Sequence, residues 1–205
     1  PNAKVTKKSK SPLSFHPIAL IFGLLSFVSY LVEGAVGDWS ALYLFEDKGI
    51  LIEEAVMGVM LFNGTMCIGR LLGNRLGKHL TSKQVVVGGY LLGSIAMGLI
   101  VFLPGHASMY TYLLLGISLA MIVPNLFSAM GEQNVIPMTQ AVATSTMLGY
   151  MGILMGPALI GFIAHGTSLT VAFIVLTTLL VVSAGIGKYA YHLMSKDCGL
   201  SEEQI

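Results

Sequence analysis

Two acids, Glu33 and Asp38, lie inside a long apolar run, in the stretch YLVEGAVGDWSALYL from Tyr30 to Leu44, beside the chain's one tryptophan, Trp39. A charge at the centre of a bilayer-spanning helix costs roughly 2.5–3.5 kcal/mol, so acids in such runs face a water-filled cavity or a partner group. Tyr30, Glu33, Gly37 and Ser40 recur at i, i+3, i+7 and i+10 and so share one helical face. Asp38 is rotated from Glu33 by about 140°, so the two acids need not act as a pair. Counted from Ile18, Glu33 lies about 22 Å along the helix axis, which predicts a position in the outer half of the span with Asp38 near the outer interface. A partly desolvated carboxyl at Glu33 can take up and release protons near neutral pH, or contact a polar solute. The competing reading makes both acids packing or gate residues that hydrogen-bond neighbouring helices. Trp39 is expected as an interfacial anchor.

Further polar residues recur at helical spacing. Asn63 and Arg70 are seven residues apart, on one face of a second apolar run, with Met60 and Met66 beside Asn63. Arg70 falls within that run's last turns, where it can snorkel to the cytoplasmic interface, and Asn63 is expected to hydrogen-bond across helices. Ser118, Met121, Asn125, Ser128 and Glu132 form a regular stripe on a fourth run. Pro124 removes a backbone hydrogen bond beside Asn125 and predicts a kink. A fifth run adds Thr144, Ser145, Thr146 and Tyr150, then a second bend at Gly156-Pro157. The candidates for substrate binding or proton coupling are Tyr30, Glu33, Asp38, Asn63, Asn125 and Tyr150. Enzymatic readings find no support. The five histidines have no metal-ligand spacing, and neither a phosphate-binding glycine loop nor a GxSxG elbow is present. No catalytic residue, metal, cofactor or nucleic-acid partner is expected. Cys67, in an apolar run, and Cys198, near the end, give no disulfide framework and read as small buried or terminal thiols.

These residues need a scaffold, and the composition supplies one. Of 205 residues, 55% are hydrophobic and 10% charged, against about 25% charged in a soluble domain. The mean hydropathy is +0.80. Six runs are long enough to cross a hydrocarbon core of about 30 Å: Phe15–Leu44, Ile52–Leu72, Gln84–Leu103, Met109–Met130, Gln140–Ala164 and Leu169–Leu193. The fold class is therefore all-α and polytopic, an integral multi-pass membrane protein. Residues 1–14 read as a basic cytoplasmic linker, 15–194 as the six-helix bundle and 195–205 as a cytoplasmic tail. Ten of the eleven lysines and arginines fall on one side of such a bundle, with Lys48 alone on the other; the positive-inside rule then puts both termini in the cytoplasm. Gly89 and Gly93, and Gly149, Gly152 and Gly156, lie on shared faces and are expected at close helix contacts.

Three segments carry a family resemblance. EGAVGDWSALYL, GRLLGNRLGKHL and GYMGILMGPALIGFIAH resemble the seventh helix, the loop between the eighth and ninth helices, and the eleventh helix of a largely uncharacterised bacterial subgroup of the major facilitator superfamily, likened to sugar permeases. The resemblance covers nearly the whole chain. It implies the C-terminal half of a twelve-helix bundle in a bacterial inner membrane, with an N-terminal half, or a second copy, as partner. It also implies a cytoplasmic gating loop at Arg70, Asn74, Arg75, Gly77 and Lys78. Asn74 stands where the family carries an acid, so the charge-relay part of that loop's role is not implied. Spans one and four would line the central cavity.

The expected function is secondary transport of a small solute by alternating access, with Glu33 coupling to protons or touching substrate. The alternative is a half-size membrane scaffold or assembly subunit that binds partner helices through its glycine faces. A lone scaffold would expose its polar stripes to lipid, which is unfavourable.

Overall fold

In hydrocarbon every backbone N–H and C=O must be paired within its own segment, and the six apolar runs all become helices. The computed structural model describes residues 16–76, 80–133 and 135–198, and no strand occurs among them. The helices are α1 (Pro17–Glu46), α2 (Ile52–Leu76), α3 (Ser82–Phe102), α4 (Gly105–Ala120), α5 (Ile122–Glu132), α6 (Met138–Gly166) and α7 (Leu169–Cys198). Six helical stretches are long and apolar enough to span a membrane, α4 and α5 together making one. The chain is an all-α, polytopic membrane protein. The predicted linker over residues 1–14 lies outside the described residues. So does the tail beyond Cys198, while the tail's first four residues continue α7.

The fourth span breaks at Met121, three residues before Pro124. Proline cannot donate back into the preceding turn, and the break is repaired locally. The Asn125 backbone N–H and its Nδ2 both donate to the Met121 carbonyl, at 3.2 and 2.8 Å. The turns between spans are closed in the same economical way. Gly49 and Gly105 take φ of +68° and +49°, a left-handed backbone open to glycine without strain. Lys48 donates to the Val101 and Leu103 carbonyls at 2.6 and 2.9 Å and so caps the C-terminus of α3. Burial lowers the Lys48 ammonium from its ordinary value, and Asp47 opposes that shift.

Helix α1 is the hub. It packs most extensively on α6 and also touches α2, α7, α5 and α4. Close approach explains the first of these contacts. A Cβ at Gly156 would sit 2.5 Å from the Leu31 carbonyl oxygen, and one at Gly152 would collide with the Phe27 carbonyl. The glycine face of α6 is thus a helix contact, as expected, and Gly89 and Gly93 play the same part for α3 against α4. Trp39 completes the α1–α6 seam: its Nε1–H donates to the Pro157 carbonyl at 2.9 Å, and its ring lies over Gly161. The indole thus serves a helix seam, a contact that the reading of Trp39 as an interfacial anchor did not include. Gly161 leaves space for the ring, so the indole reaches its partner between helices.

Candidate functional site

Helices α2 and α6 both flank α1 but do not touch each other, so they form the walls of a groove with α1 at its floor. Glu33 lies just past the middle of the 30-residue α1, in the half that ends at Glu46. Its carboxylate is 12% exposed and accepts from Arg70 Nη2 at 3.3 Å (Oε1) and 3.2 Å (Oε2). The direction of Arg70 corrects one expectation. Side chains on a helix lean toward its N-terminus. Since α1 and α2 are antiparallel neighbours, Arg70 and Glu33 lean toward each other. Arg70 therefore reaches inward to the acid instead of snorkelling outward, and its backbone sits within α2, not in a loop.

One turn before Glu33, the Tyr30 ring stacks on Tyr150 of α6, with centroids 6.3 Å apart and planes 3° from parallel. Gly149 makes the room, since a Cβ there would meet the Tyr30 ring. Tyr30 lies within electrostatic reach of Glu33, Arg70 and Tyr150. The structure thus assembles one acid, one guanidinium and two phenols from three helices. Such a set can hold a proton, exchange an ion-pair partner and donate hydrogen bonds to a polar solute.

The other predicted residues fall elsewhere. Asp38 is exposed one turn beyond the cluster. Ser40 is buried, beside the Tyr112 hydroxyl of α4, so the predicted polar stripe divides after Gly37. Asn63 is exposed two turns from Arg70 on the same side of α2, and its Nδ2 donates to Val59 of its own helix at 3.0 Å. The expected interhelical bond is not made, because no helix covers that side of α2. Asn125 serves the α4–α5 break, and its backbone carbonyl accepts from Ser82 Oγ at 3.0 Å. Asn74 and Arg75 belong to α2, and Gly77 and Lys78 lie outside the described residues. Cys67 is exposed, not buried.

Several organising side chains escaped the sequence reading. Tyr90 is fully buried; its hydroxyl donates to the Leu25 carbonyl at 2.7 Å and shares a 2.8 Å hydrogen bond with Ser29. Ser82 joins Asn125 to the Tyr191 hydroxyl. The Gln133 amide donates to Met130 and Ile136 carbonyls and accepts from the Val135 and Ile136 N–H groups, so one side chain ties the chain after α5. A buried phenol or amide in an apolar chain must find partners. That rule flags Tyr90 and Gln133 but does not say which partners they find.

No family model matches the chain. An uncharacterized MFS-type transporter of Yersinia pestis is 41% identical over 168 residues, which is 80% of this chain and 43% of that protein. This chain is a relative of major-facilitator transporters. Membrane protein MosC of Rhizobium meliloti is 30% identical over 170 residues, covering 82% of the chain and 42% of its own length. An uncharacterized transporter of Sinorhizobium fredii is 28% identical over 159 residues. The chain spans about two-fifths of the length of these relatives (41–43%). In this major-facilitator relative, the six spans and the groove between α2 and α6 are the features a transport reading must use.

Proposed function

We propose that this chain forms one six-helix half, the C-terminal one, of a secondary transporter, with both termini on the cytoplasmic side of a bacterial inner membrane. The groove between α2 and α6 faces the other half, and a small solute passes between the halves by alternating access. The observation that carries this reading is the Glu33–Arg70 pair. A carboxylate near the middle of an apolar helix is costly; here it is nearly buried and linked across the α1–α2 contact to Arg70, whose side chain is 45% exposed at the groove. The relatives' names, and lengths of more than twice the matched region, support a two-half arrangement. Protonation of Glu33, or arrival of an anionic or hydroxylated solute at Arg70, would break the pair and release α2 from α1. That gives a local event able to bias one access state over the other. Asn63, Asp38 and Tyr150 extend the polar surface along the groove, and the gate is assigned to Arg70, Asn74 and Arg75 at the end of α2 together with Gly77 and Lys78, which lie outside the described residues. A scaffold reading gives this pair no role.

The test uses the full-length protein in oriented membrane vesicles, with Cys67, Cys198 and any cysteine of the other half replaced by Ser as background. Single cysteines at Asn63 and Tyr150 are probed with a membrane-impermeant maleimide, and one at Ile95, 57% exposed within α3, serves as the control away from the groove. Labelling at the two groove positions with none at Ile95 is expected. Groove positions inert from both sides would overturn the reading.

A further inference from the structure

The ion pair at the groove is lopsided. The Glu33 carboxylate is nearly buried and the Arg70 side chain about half exposed, so the pair turns a cationic face to the groove. Among the described residues Arg70 reaches Glu33 through Nη2 alone, which leaves its Nη1 and Nε donors for another acceptor. Donors in a planar fork match the two oxygens of a carboxylate. Among the described residues, the one charged group acting on Glu33 is Arg70 of α2; α4, α5, α6 and α7 bring none. The other titratable groups within its electrostatic reach are Tyr30 on its own helix and Tyr90 of α3, with Tyr150 of α6 stacked beyond Tyr30. These phenols are neutral in the physiological range. Asp38 is exposed a turn further on, and its rotation of about 140° from Glu33 turns it from Arg70.

The walls around this cation are mostly apolar. On α2, Met60, Asn63 and Arg70 stand at i, i+3 and i+10 and share one face, and Met60 is exposed. On α6, Met147 and Leu154 lie three residues before Tyr150 and four after it, on the same face, and both are exposed. Thioether, aliphatic and ring surface suits a hydrocarbon body. A sugar needs a hydrogen-bond partner at each hydroxyl that it desolvates, and Asn63 already commits its Nδ2 to Val59.

We infer that the solute is a small organic monocarboxylate, carried together with one proton. This rests on the transport reading of the groove and adds the substrate class and the exchange that couples it. With Glu33 ionised, its carboxylate occupies Arg70 and excludes a second anion. When Glu33 takes a proton from water, the ion pair is lost. The guanidinium then accepts the solute's carboxylate as its partner, with the hydrocarbon body against Tyr150 and the methionines. The site keeps one cation and one anion throughout, so the exchange buries no unpaired charge. Release reverses both steps: Glu33 returns its proton to water, reclaims Arg70 and expels the anion. One anion and one proton cross together, and no net charge moves.

The test reads ligand-induced shifts in the thermal midpoint of the full-length protein in detergent, each against the same variant without ligand. The probes are butyrate and benzoate, their neutral amides, glucose and inorganic phosphate. Runs at about pH 6 and about pH 8 bracket a carboxyl that titrates near neutrality. The carboxylates should bind the unmodified protein roughly ten- to a hundredfold more tightly at the lower pH, since binding that needs one proton changes about tenfold per pH unit above the titration point. Glu33→Gln, a fixed mimic of the protonated acid, should bind them equally at both pH values. Arg70→Gln should lose the shift, and Arg70→Lys, which keeps the charge without the planar fork, should retain a weaker one. The amides, glucose and phosphate should leave the midpoint unchanged. A carboxylate shift that is independent of pH, that survives Arg70→Gln, or that an amide, glucose or phosphate matches would overturn the inference. So would the absence of any carboxylate shift in a protein whose Asn63→Cys takes up the maleimide, a result that leaves the transport reading standing. Groove positions inert to the maleimide would remove both.

Discussion

Replacing Glu33 by Gln leaves the Arg70 guanidinium facing a neutral amide in the groove. The size of the loss follows from burial. Fully buried pairs lose 3–5 kcal/mol when one partner is removed, and exposed pairs contribute 0–1 kcal/mol. Here the acid is 12% exposed and the arginine 45%, so solvent screens one side only and a coupling of about 1–2 kcal/mol is expected. Glu33→Gln, Arg70→Gln and the double variant close a thermodynamic cycle, read by thermal unfolding of the full-length protein in detergent. Each single change should lower the midpoint by roughly 2–8 °C. The double variant should lose less than the sum, because no orphan charge remains. The exchanged pair, Glu33→Arg with Arg70→Glu, should recover part of the coupling. In proteoliposomes Glu33→Gln should abolish pH-dependent transport while membrane insertion stays intact. Strict additivity of the single changes, within about 0.3–0.5 kcal/mol, would refute the coupling. Uptake with an unaltered pH profile would refute the proton role.

Two further outcomes test the frame that holds the pair. Gly156→Val should destabilise the bundle by at least ~1–3 kcal/mol, because its side chain meets the Leu31 backbone, whereas Gly185→Ala, with open space around its Cβ, should be neutral or slightly stabilising; thermal melts in one detergent compare them. Trp39→Phe keeps the ring but loses the hydrogen bond to Pro157, and should cost about 1 kcal/mol in the same assay. A loss much below that would mean the seam relies on ring packing alone.

The span count was legible because hydrocarbon imposes a length and an apolar composition on every crossing helix, and both are written along the chain. The break beside Pro124 was legible for an equally local reason: a missing N–H. The glycine faces of α3 and α6 could be assigned to packing, since spacing fixes which residues share a face. Spacing does not fix what that face meets. Glu33 was visible as an anomaly, yet its partner lay 37 residues away in a helix whose own pattern suggested an arginine reaching for the interface. The Trp39 contact was not legible for a similar reason, because it depends on the gap opened by Gly161 on another helix.

The sequence by itself therefore determined six membrane helices, the break beside Pro124, the asymmetry of basic charge and the presence of costly polar groups that demand an environment; at Pro157 the predicted second bend falls within an unbroken α6. The tertiary structure decided which of those groups meet. Periodicity describes one helix at a time, whereas the antiparallel lean of Arg70 toward Glu33, the Tyr30–Tyr150 stack over Gly149, and the separation of α2 from α6 are relations between helices. They arise when glycine lets α1 and α6 approach to backbone contact and leaves α2 on the opposite flank. The same packing that closes one seam opens the groove.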